Sequence, residues 1–534
     1  MNLSKSKRQE SSLSENDNNI SFSDIIIYII FLGLDASTLT LNNIPYNLSI
    51  IITPFIIITG IANLWSYRLI GNFYEKNKND KAGINFESYL KHKFGNKLTI
   101  LIIIFIILNI YNIGQIIIHQ ILIYRLLAGI INIIGGYDYE STLLFISNTN
   151  FNKIGSKFIV NFVIFLFILF PFCLSQNTNA FSTKGFFIFI FVTLVILLQF
   201  PFYLIQYKNN YDINVYHAER GFTKSCHFLQ SFGIFFFCFS GHNGLIYALE
   251  EFDKLKKEKN DIKNGKKNEK KNDEKEDEKS EKKNDEKEEK KNDIKTYKKE
   301  DEENNIKNEK EDEKNGEKND EKNDGKNDDK NEVNDIINNE ENDKKNDENE
   351  KQRNCMFNTS IIINMVIYLI MSICGYLCSP NDVVILITER KRLWYKDITM
   401  TISRIILIPL AINKIQINLN YMKNSFYKFF GFKEINDEKI NLFKIIATLI
   451  PLIFTTILAS FYQNIVTYIC IIGSFFVVFQ AFFIPTFLMK IPNSSNDKYI
   501  ILIRKIIGII LCAIGITSGI FKIIDIAQTK ETFI

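Results

Sequence analysis

The sequence lacks the short motifs that mark common catalytic and metal sites. It contains no G-x-S-x-G nucleophile elbow, no phosphate-binding loop and no H-E-x-x-H helix. Its eight cysteines lie mostly inside or beside apolar runs, where a thiol packs as a small hydrophobe, and their spacing predicts neither a disulfide framework nor a zinc site. We therefore expect no enzyme, no cofactor and no metal.

An excess of charge of one sign is also missing. The chain has 64 Lys and Arg against 60 Asp and Glu, and the basic residues lie mostly in loops between apolar runs or in one mixed-sign block. This distribution predicts no nucleic-acid binding. Residues 1–22 are polar and contain no apolar core followed by a small-residue cleavage site. We interpret them as a cytoplasmic tail rather than a secretory signal peptide.

Long apolar runs dominate the rest of the chain. Outside 253–353, runs of 18 or more residues rich in Ile and Phe are long enough to cross a hydrocarbon core of about 30 Å as helices. They predict an all-α integral membrane protein in the lipid bilayer, in two parts, 23–252 and 354–534. We interpret the long third run as a single span. Eleven transmembrane helices are predicted near 24–44, 49–70, 98–123, 156–175, 185–206, 228–249, 358–378, 398–416, 443–461, 465–488 and 501–524.

The Lys and Arg residues predict a cytoplasmic N-terminus, because most of them then fall in inside loops. The loop after the seventh span is the exception, with four basic residues on the predicted outside. Residues 253–353 consist of repeats of the type KKNDEK with almost no aromatics. Such a segment cannot bury enough apolar area to offset its ordering entropy, so we predict a disordered cytoplasmic insertion. It is either a passive insertion or a docking or regulatory segment.

Two of the predicted spans are interrupted by polar residues. Gln230 to Glu251 reads QSFGIFFFCFSGHNGLIYALEE, and the first span turns polar after Leu34, with Pro45 following. Backbone at membrane depth must satisfy its own hydrogen bonds, so such breaks are tolerated only where they line a cavity. Paired broken segments in the two halves of a chain are typical of a transporter's binding site. We predict a substrate site at the two breaks.

The breaks can bind a small zwitterion without charged side chains. Freed carbonyls suit an ammonium, and the start of the second half-helix suits a carboxylate, while the glycines let a ligand approach closely. In the third span, Asn112, Gln115 and His119 share one helical face and line the pathway or bond between helices. The candidate substrate-binding residues are Asp35, Ser37, Thr38, Asn112, Phe239, Ser240, Gly241, His242, Asn243 and Gly244.

Asp35 and His242 are the ionisable residues inside the breaks. Intramembrane ionisable groups are functional hypotheses by default, and a histidine titrates near neutral pH. Each is a candidate to take a coupling proton, and structural hydrogen bonding is the alternative for each. An enzymatic alternative, a membrane-bound O-acyltransferase with its histidine at His119, leaves both breaks unexplained.

Several stretches resemble the amino acid/auxin permease family of the amino acid-polyamine-organocation group. FFFCFSGHNGLIYALEEF resembles its sixth span and FPFCLSQNTNAFSTKGF its fourth-to-fifth connection. GYLCSPNDVVILI, SRIILIPL and IIGSFFVVFQAFFIPTFL resemble parts of its seventh, eighth and tenth spans. The resemblance implies a LeuT-type 5+5 inverted repeat plus one helix. It also implies a substrate between the first, third, sixth and eighth spans.

The resemblance implies an amino acid transporter that works by alternating access, in the plasma membrane or an acidic vacuole membrane. The alternative is a transporter-like sensor that reports amino acid levels through a cytoplasmic partner. LDASTLTLNNIPYNL departs from the family by lacking its glycines, and IILIPLAI has no hydroxyl where sodium-coupled relatives use oxygens. We therefore expect proton symport or facilitated exchange rather than sodium coupling.

Overall fold

The computed structural model describes most of the apolar chain. The described residues are 21–41, 53–77, 98–134, 154–174, 180–206, 225–242, 244–253, 256, 328–378, 386–389, 398–430, 442–461, 464–488 and 498–529. Every regular element within these ranges is helical.

The N-terminal part is a series of helices with one short 3₁₀ turn and one π-helical segment. A capping box starts the first helix, since the Ser21 hydroxyl accepts from the Asp24 N–H while the Asp24 carboxylate accepts from the Ser21 N–H. The helices are α1 (Phe22–Gly33), α2 (Phe55–Asn77), α3 (Leu98–Ile134), α4 (Ile154–Ile164), α5 (Phe170–Leu174), α6 (Ala180–Gln206), α7 (Ser225–Cys238) and α8 (244–253), with the 3₁₀ turn at Thr38–Thr40 and the π-helical segment Phe165–Leu169 between α4 and α5.

The C-terminal part has longer helices. They are α9 (Asp328–Leu377), α10 (Ile398–Phe430), α11 (Leu442–Phe461), α12 (Ile465–Ile471) and α13 (Lys498–Thr529), with a 3₁₀ turn at Ile387–Glu389. Two π-helical segments, Ile472–Val477 and Phe479–Leu488, continue α12. Asn464 caps α12, because its side chain accepts from the Thr467 N–H.

Seven helices of the described residues are long and apolar enough to cross a membrane. They lie in α3, α6, α9, α10, α11, α12 with its continuation, and α13, and α1 and the segment 158–174 are among the shorter apolar helices. The third apolar run forms one continuous helix, α3, as predicted. The count of eleven spans and the inverted repeat stay predictions.

The outer face of α13 is apolar and exposed. Isoleucines and a leucine along one stretch of this helix are about half exposed, namely Leu502, Ile503, Ile506, Ile507, Ile509 and Ile510. A continuous exposed apolar surface of this kind marks contact with lipid or with another protein. Together with the seven long apolar helices it defines an integral, multi-pass membrane protein.

Small residues bring α7 close to the helices behind it. A Cβ on Gly473 would lie 1.9 Å from the carbonyl oxygen of Gly233, so the two backbones touch. The Gly233 N–H donates to the Ser518 hydroxyl of α13 at 3.1 Å, and the Ser474 hydroxyl donates to the same oxygen at 3.0 Å. Small and hydroxylated residues are the usual means by which membrane helices approach and bond.

The charged block requires one correction. The sequence predicts disorder throughout 253–353, but residues 328–353 are helical, because α9 begins at Asp328. Extending an existing helix adds one hydrogen bond for each residue fixed, whereas starting one is costly, so an apolar helix can continue into polar sequence. Most of the block, 257–327, lies outside the described residues.

Candidate functional site

The structure interrupts both helices at the predicted places. α1 ends at Gly33, where the Leu34 N–H still donates to Ile30, and the chain then turns through Asp35 into the 3₁₀ turn. α7 ends at Cys238, and the helix resumes as α8. The described residues of both breaks, 34–41 and 239–242, are buried.

Tyr368 of α9 joins the two half-helix ends. Its hydroxyl lies 2.7 Å from the carbonyl oxygen of Gly33 and 2.5 Å from that of Cys238. A phenol has one hydrogen, so it donates to one carbonyl at a time. Its ring meets Phe239 edge-on, with ring centroids 5.0 Å apart. The C-terminal ends of α1 and α7 therefore lie side by side around one tyrosine.

Lys414 of α10 occupies the remaining carbonyls at the end of α1. Its ammonium donates to the carbonyl oxygens of Phe31 and Leu32, the latter at 3.1 Å. The nitrogen also lies 4.1 Å from the centroid of the Phe31 ring. The last four carbonyls of a helix have no partner within it. Here Leu34 N–H, Lys414 and Tyr368 satisfy those of α1.

α3 links the two breaks through polar side chains. The Gln115 amide nitrogen lies 3.5 Å from a carboxylate oxygen of Asp35, 3.2 Å from the Ser240 hydroxyl and 2.9 Å from the Tyr111 hydroxyl. The Tyr111 hydroxyl donates to the Ser240 carbonyl at 2.9 Å. The other oxygen of Asp35 accepts from the N–H of Ser37 at 2.9 Å and from its hydroxyl at 2.5 Å. The predicted residues Asp35, Ser37 and Ser240 thus meet in one buried cluster.

His242 lies in a different environment. Its Nε2 is 3.1 Å from the Ser66 hydroxyl of α2, and that hydroxyl donates its hydrogen to the Ala481 carbonyl. Because the serine hydrogen is already used, Nε2 carries the histidine proton and donates to Ser66. The Tyr67 ring meets the imidazole edge-on at 4.9 Å, and Nδ1 has no hydrogen-bond partner within the described ranges. This geometry gives His242 a bonding role between three helices, and its role in coupling stays a prediction.

Side chains from other helices pack closely against the two glycines of the second break, Gly241 and Gly244. A Cβ on Gly241 would lie 2.7 Å from the Tyr67 hydroxyl, and one on Gly244 would lie 2.4 Å from Leu32 and 2.7 Å from the Tyr421 hydroxyl. Glycine at these two positions therefore permits the close packing of α1, α2 and α10 against the break, and its role in admitting a ligand stays a prediction.

The other predicted site residues are placed as follows. The Thr38 hydroxyl accepts from the Asp35 N–H at 3.4 Å. Asn112 is buried on α3, one turn before Gln115. The Nδ1–H of His119 donates to the Gln115 carbonyl oxygen within its own helix at 2.7 Å. Asn243 lies outside the described residues.

Sequence reasoning missed Lys414 and Tyr368. The predicted eighth span ends near residue 416, and Lys414 is counted with the loop lysines, whereas α10 continues to Phe430 and buries it. The signal was a lysine inside the run LAINKIQINL, because an ionisable residue at membrane depth is a functional hypothesis by default. Tyr368 lies in MVIYLIMS, and nothing in that apolar run distinguishes it from a core residue.

These apolar helices form a multi-pass membrane protein, and two broken helices that meet at a buried polar cluster are typical of transporters. Residues 50–263 match the family model described as "Transmembrane amino acid transporter protein". The matched segment runs from α2 through the second break and confirms the resemblance to the amino acid permease family. No curated protein matches the chain.

Proposed function

We propose that this protein carries a free amino acid across a membrane by alternating access around the two breaks. The supporting observation is the meeting of the α1 and α7 ends at Tyr368, beside the buried cluster of Asp35, Ser37, Gln115 and Ser240. The family match supports the substrate class. In this proposal the chain has eleven spans, a 5+5 inverted repeat and a cytoplasmic N-terminus.

The cluster offers complementary chemistry to the two ends of an amino acid. The C-terminal end of α7 carries partial negative charge, and Asp35 adds a carboxylate, so the substrate ammonium binds on this side. The N-terminal end of α8 carries partial positive charge and receives the substrate carboxylate. In this proposal Asp35, Ser37, Thr38, Asn112, Phe239 and Ser240 line this space, while Gly241, His242 and Gly244 pack the break against its neighbours.

Transport by purified protein in liposomes tests the proposal. A panel of labelled amino acids is offered with and without a pH gradient, in sodium and in sodium-free buffer. We expect uptake of a subset of the panel that does not require sodium. Binding of an amino acid without any uptake or exchange would instead indicate the sensor, and neither binding nor uptake across the panel would refute the substrate class.

Asp35→Asn tests the coupling role. Asparagine keeps the size of the side chain but removes a negative charge that can accept a proton. We expect accumulation driven by a pH gradient to fall at least about tenfold, equivalent to about 1.4 kcal/mol. Exchange at equal pH on both sides survives, because the backbone groups that hold the substrate remain.

The matched control for this test is Asp24→Asn, at the exposed start of the same helix α1. Its cap contributes to helix stability but lies outside the cluster, so its gradient-driven uptake should equal that of the wild type. An unchanged response to the gradient in Asp35→Asn would exclude Asp35 as the coupling group and leave His242 as the candidate.

A further inference from the structure

The ammonium of Lys414 is an unusual group to find in the interior of this bundle. The residue is 4% exposed and lies in the middle of α10, a helix apolar enough to span a membrane. Removing a charge from water costs several kcal/mol unless other groups replace the lost hydration. A lysine at this position therefore needs specific compensation from its neighbours.

The compensation comes from the break in α1. Two carbonyl oxygens, of Phe31 and Leu32, accept from the ammonium, and the face of the Phe31 ring lies beneath it. The carboxylate of Asp35, a few residues further on, interacts electrostatically with the same charge. This combination of helix-end carbonyls, an aromatic face and a nearby carboxylate is an environment for a cation.

In transporters with broken helices, the carbonyl ends of half-helices are places where a coupling alkali-metal ion is held. In this chain the nearby stretch of α10, residues 405–412, supplies no side-chain hydroxyl as a further ligand, and Lys414 supplies the charge itself. The α1 carbonyls that could coordinate a free ion are instead hydrogen-bonded to the Lys414 ammonium, which belongs to the neighbouring helix α10.

We propose that the Lys414 ammonium is a built-in cation, which takes the place of a bound metal ion in fastening the end of α1 to α10. The inference rests on the proposed transport function and adds to it that the fastening needs no sodium. Lys414 acts as a positioning residue, because its hydrogen bonds go to the Phe31 and Leu32 carbonyls of the helix end.

A second contact shows that α1 is fastened to α10 along one face. The hydroxyls of Tyr28 and Tyr421 lie 2.5 Å apart, and Tyr421 is two turns beyond Lys414 on α10. The tyrosines join the helices near the middle of α1, and the lysine joins them at its end. Any movement that separates α1 from α10 in the proposed transport cycle opens both contacts.

Chemical rescue tests the proposal. Lys414→Ala removes the ammonium and leaves space, so a small alkylammonium ion such as ethylammonium can enter and donate to the same carbonyls. The measurement is exchange of the best amino acid of the liposome panel at equal pH on both sides. Equal pH matters because an amine can then not act by collapsing a proton gradient.

We expect exchange by Lys414→Ala to fall at least about tenfold and to recover several-fold in ethylammonium. Tetramethylammonium has no N–H to donate, so it should give no recovery. Lys414→Met fills the space with an apolar chain and should be inactive with either amine. Lys423→Ala, another buried lysine of α10, is the matched control and should show no rescue.

The thermal unfolding midpoint of each variant is measured in the same buffers, so the cation site is tested even if the wild type exchanges no amino acid. Ethylammonium should raise the midpoint of Lys414→Ala alone. Wild-type exchange that requires sodium, normal exchange by Lys414→Met, or a lack of any effect of ethylammonium on Lys414→Ala would each overturn the proposal. A wild type without exchange, but with rescue of the midpoint, would refute only the proposed function.

Discussion

Alanine in place of Gly473 is expected to leave little folded protein. The new Cβ would lie 1.9 Å from the carbonyl oxygen of Gly233, 2.9 Å from its carbonyl carbon and 3.0 Å from the Cβ of Phe237. Two of these atoms belong to a backbone inside a helix, so no side-chain rotation relieves the clash. Overpacking a well-filled core typically costs about 1–3 kcal/mol, and we expect at least the upper end of that range here.

The measurement for Gly473→Ala is the yield of monodisperse protein in detergent and its thermal unfolding midpoint. Gly129→Ala is the matched control, because it is also a helical glycine but its nearest neighbours, atoms of Arg404, lie 3.4 Å or more from the new Cβ. Alanine is favoured over glycine in a helix by about 1 kcal/mol, so the control should be neutral or slightly stabilising. Equal midpoints for the two variants would contradict the close contact between α7 and the helix that follows α12.

Phenylalanine in place of Tyr368 is expected to lower exchange at least about tenfold while the protein stays folded. The ring and its contact with Phe239 remain, but the carbonyls of Gly33 and Cys238 lose the hydroxyl that holds them together. Leaving a buried acceptor without its donor costs about 1–3 kcal/mol. We expect this cost to destabilise the arrangement of the two breaks and to leave the rest of the bundle intact.

Exchange and the unfolding midpoint are measured together for this variant. Tyr376→Phe removes another buried phenol hydroxyl from α9 and serves as the control. We expect the control to exchange at close to the wild-type rate even if its midpoint falls. Equal loss of exchange in the two variants would mean that Tyr368 contributes only general stability.

The sequence predicts the two breaks because glycines and polar residues cannot continue an apolar helix at membrane depth unless they line a cavity. It does not predict what each break contacts. The sequence predicts that Gly241 and Gly244 admit a ligand, but it gives no sign that Tyr67, Leu32 and Tyr421 lie beside them. Which atoms fill the space beside a glycine depends on how distant helices cross, and a linear pattern of hydrophobicity contains no such information.

The boundaries of α9 and α10 show a second limit. Apolar character fades after Ile412, so the prediction ends the eighth span near residue 416, yet α10 continues for about four further turns with buried polar side chains. α9 likewise begins 30 residues before the predicted seventh span, at Asp328 rather than near residue 358. A hydropathy pattern shows which part of a helix is apolar enough to cross the bilayer core. The full length of the helix also depends on neighbouring residues that satisfy its polar groups.

The hydroxyl of Tyr368 has one hydrogen for the carbonyl oxygens of two helix ends. This shortage of donors bears on which substrates the proposed site would select. The carbonyl oxygens of Gly33 and Cys238 compete for this single donor, so each accepts a hydrogen bond only part of the time. In the proposed function, a substrate with a primary ammonium supplies three N–H donors, so both carbonyls can accept a hydrogen bond at once. A fully methylated ammonium supplies none. The same amino acid with a trimethylated nitrogen should therefore be transported poorly, even though its charge and its carboxylate are unchanged.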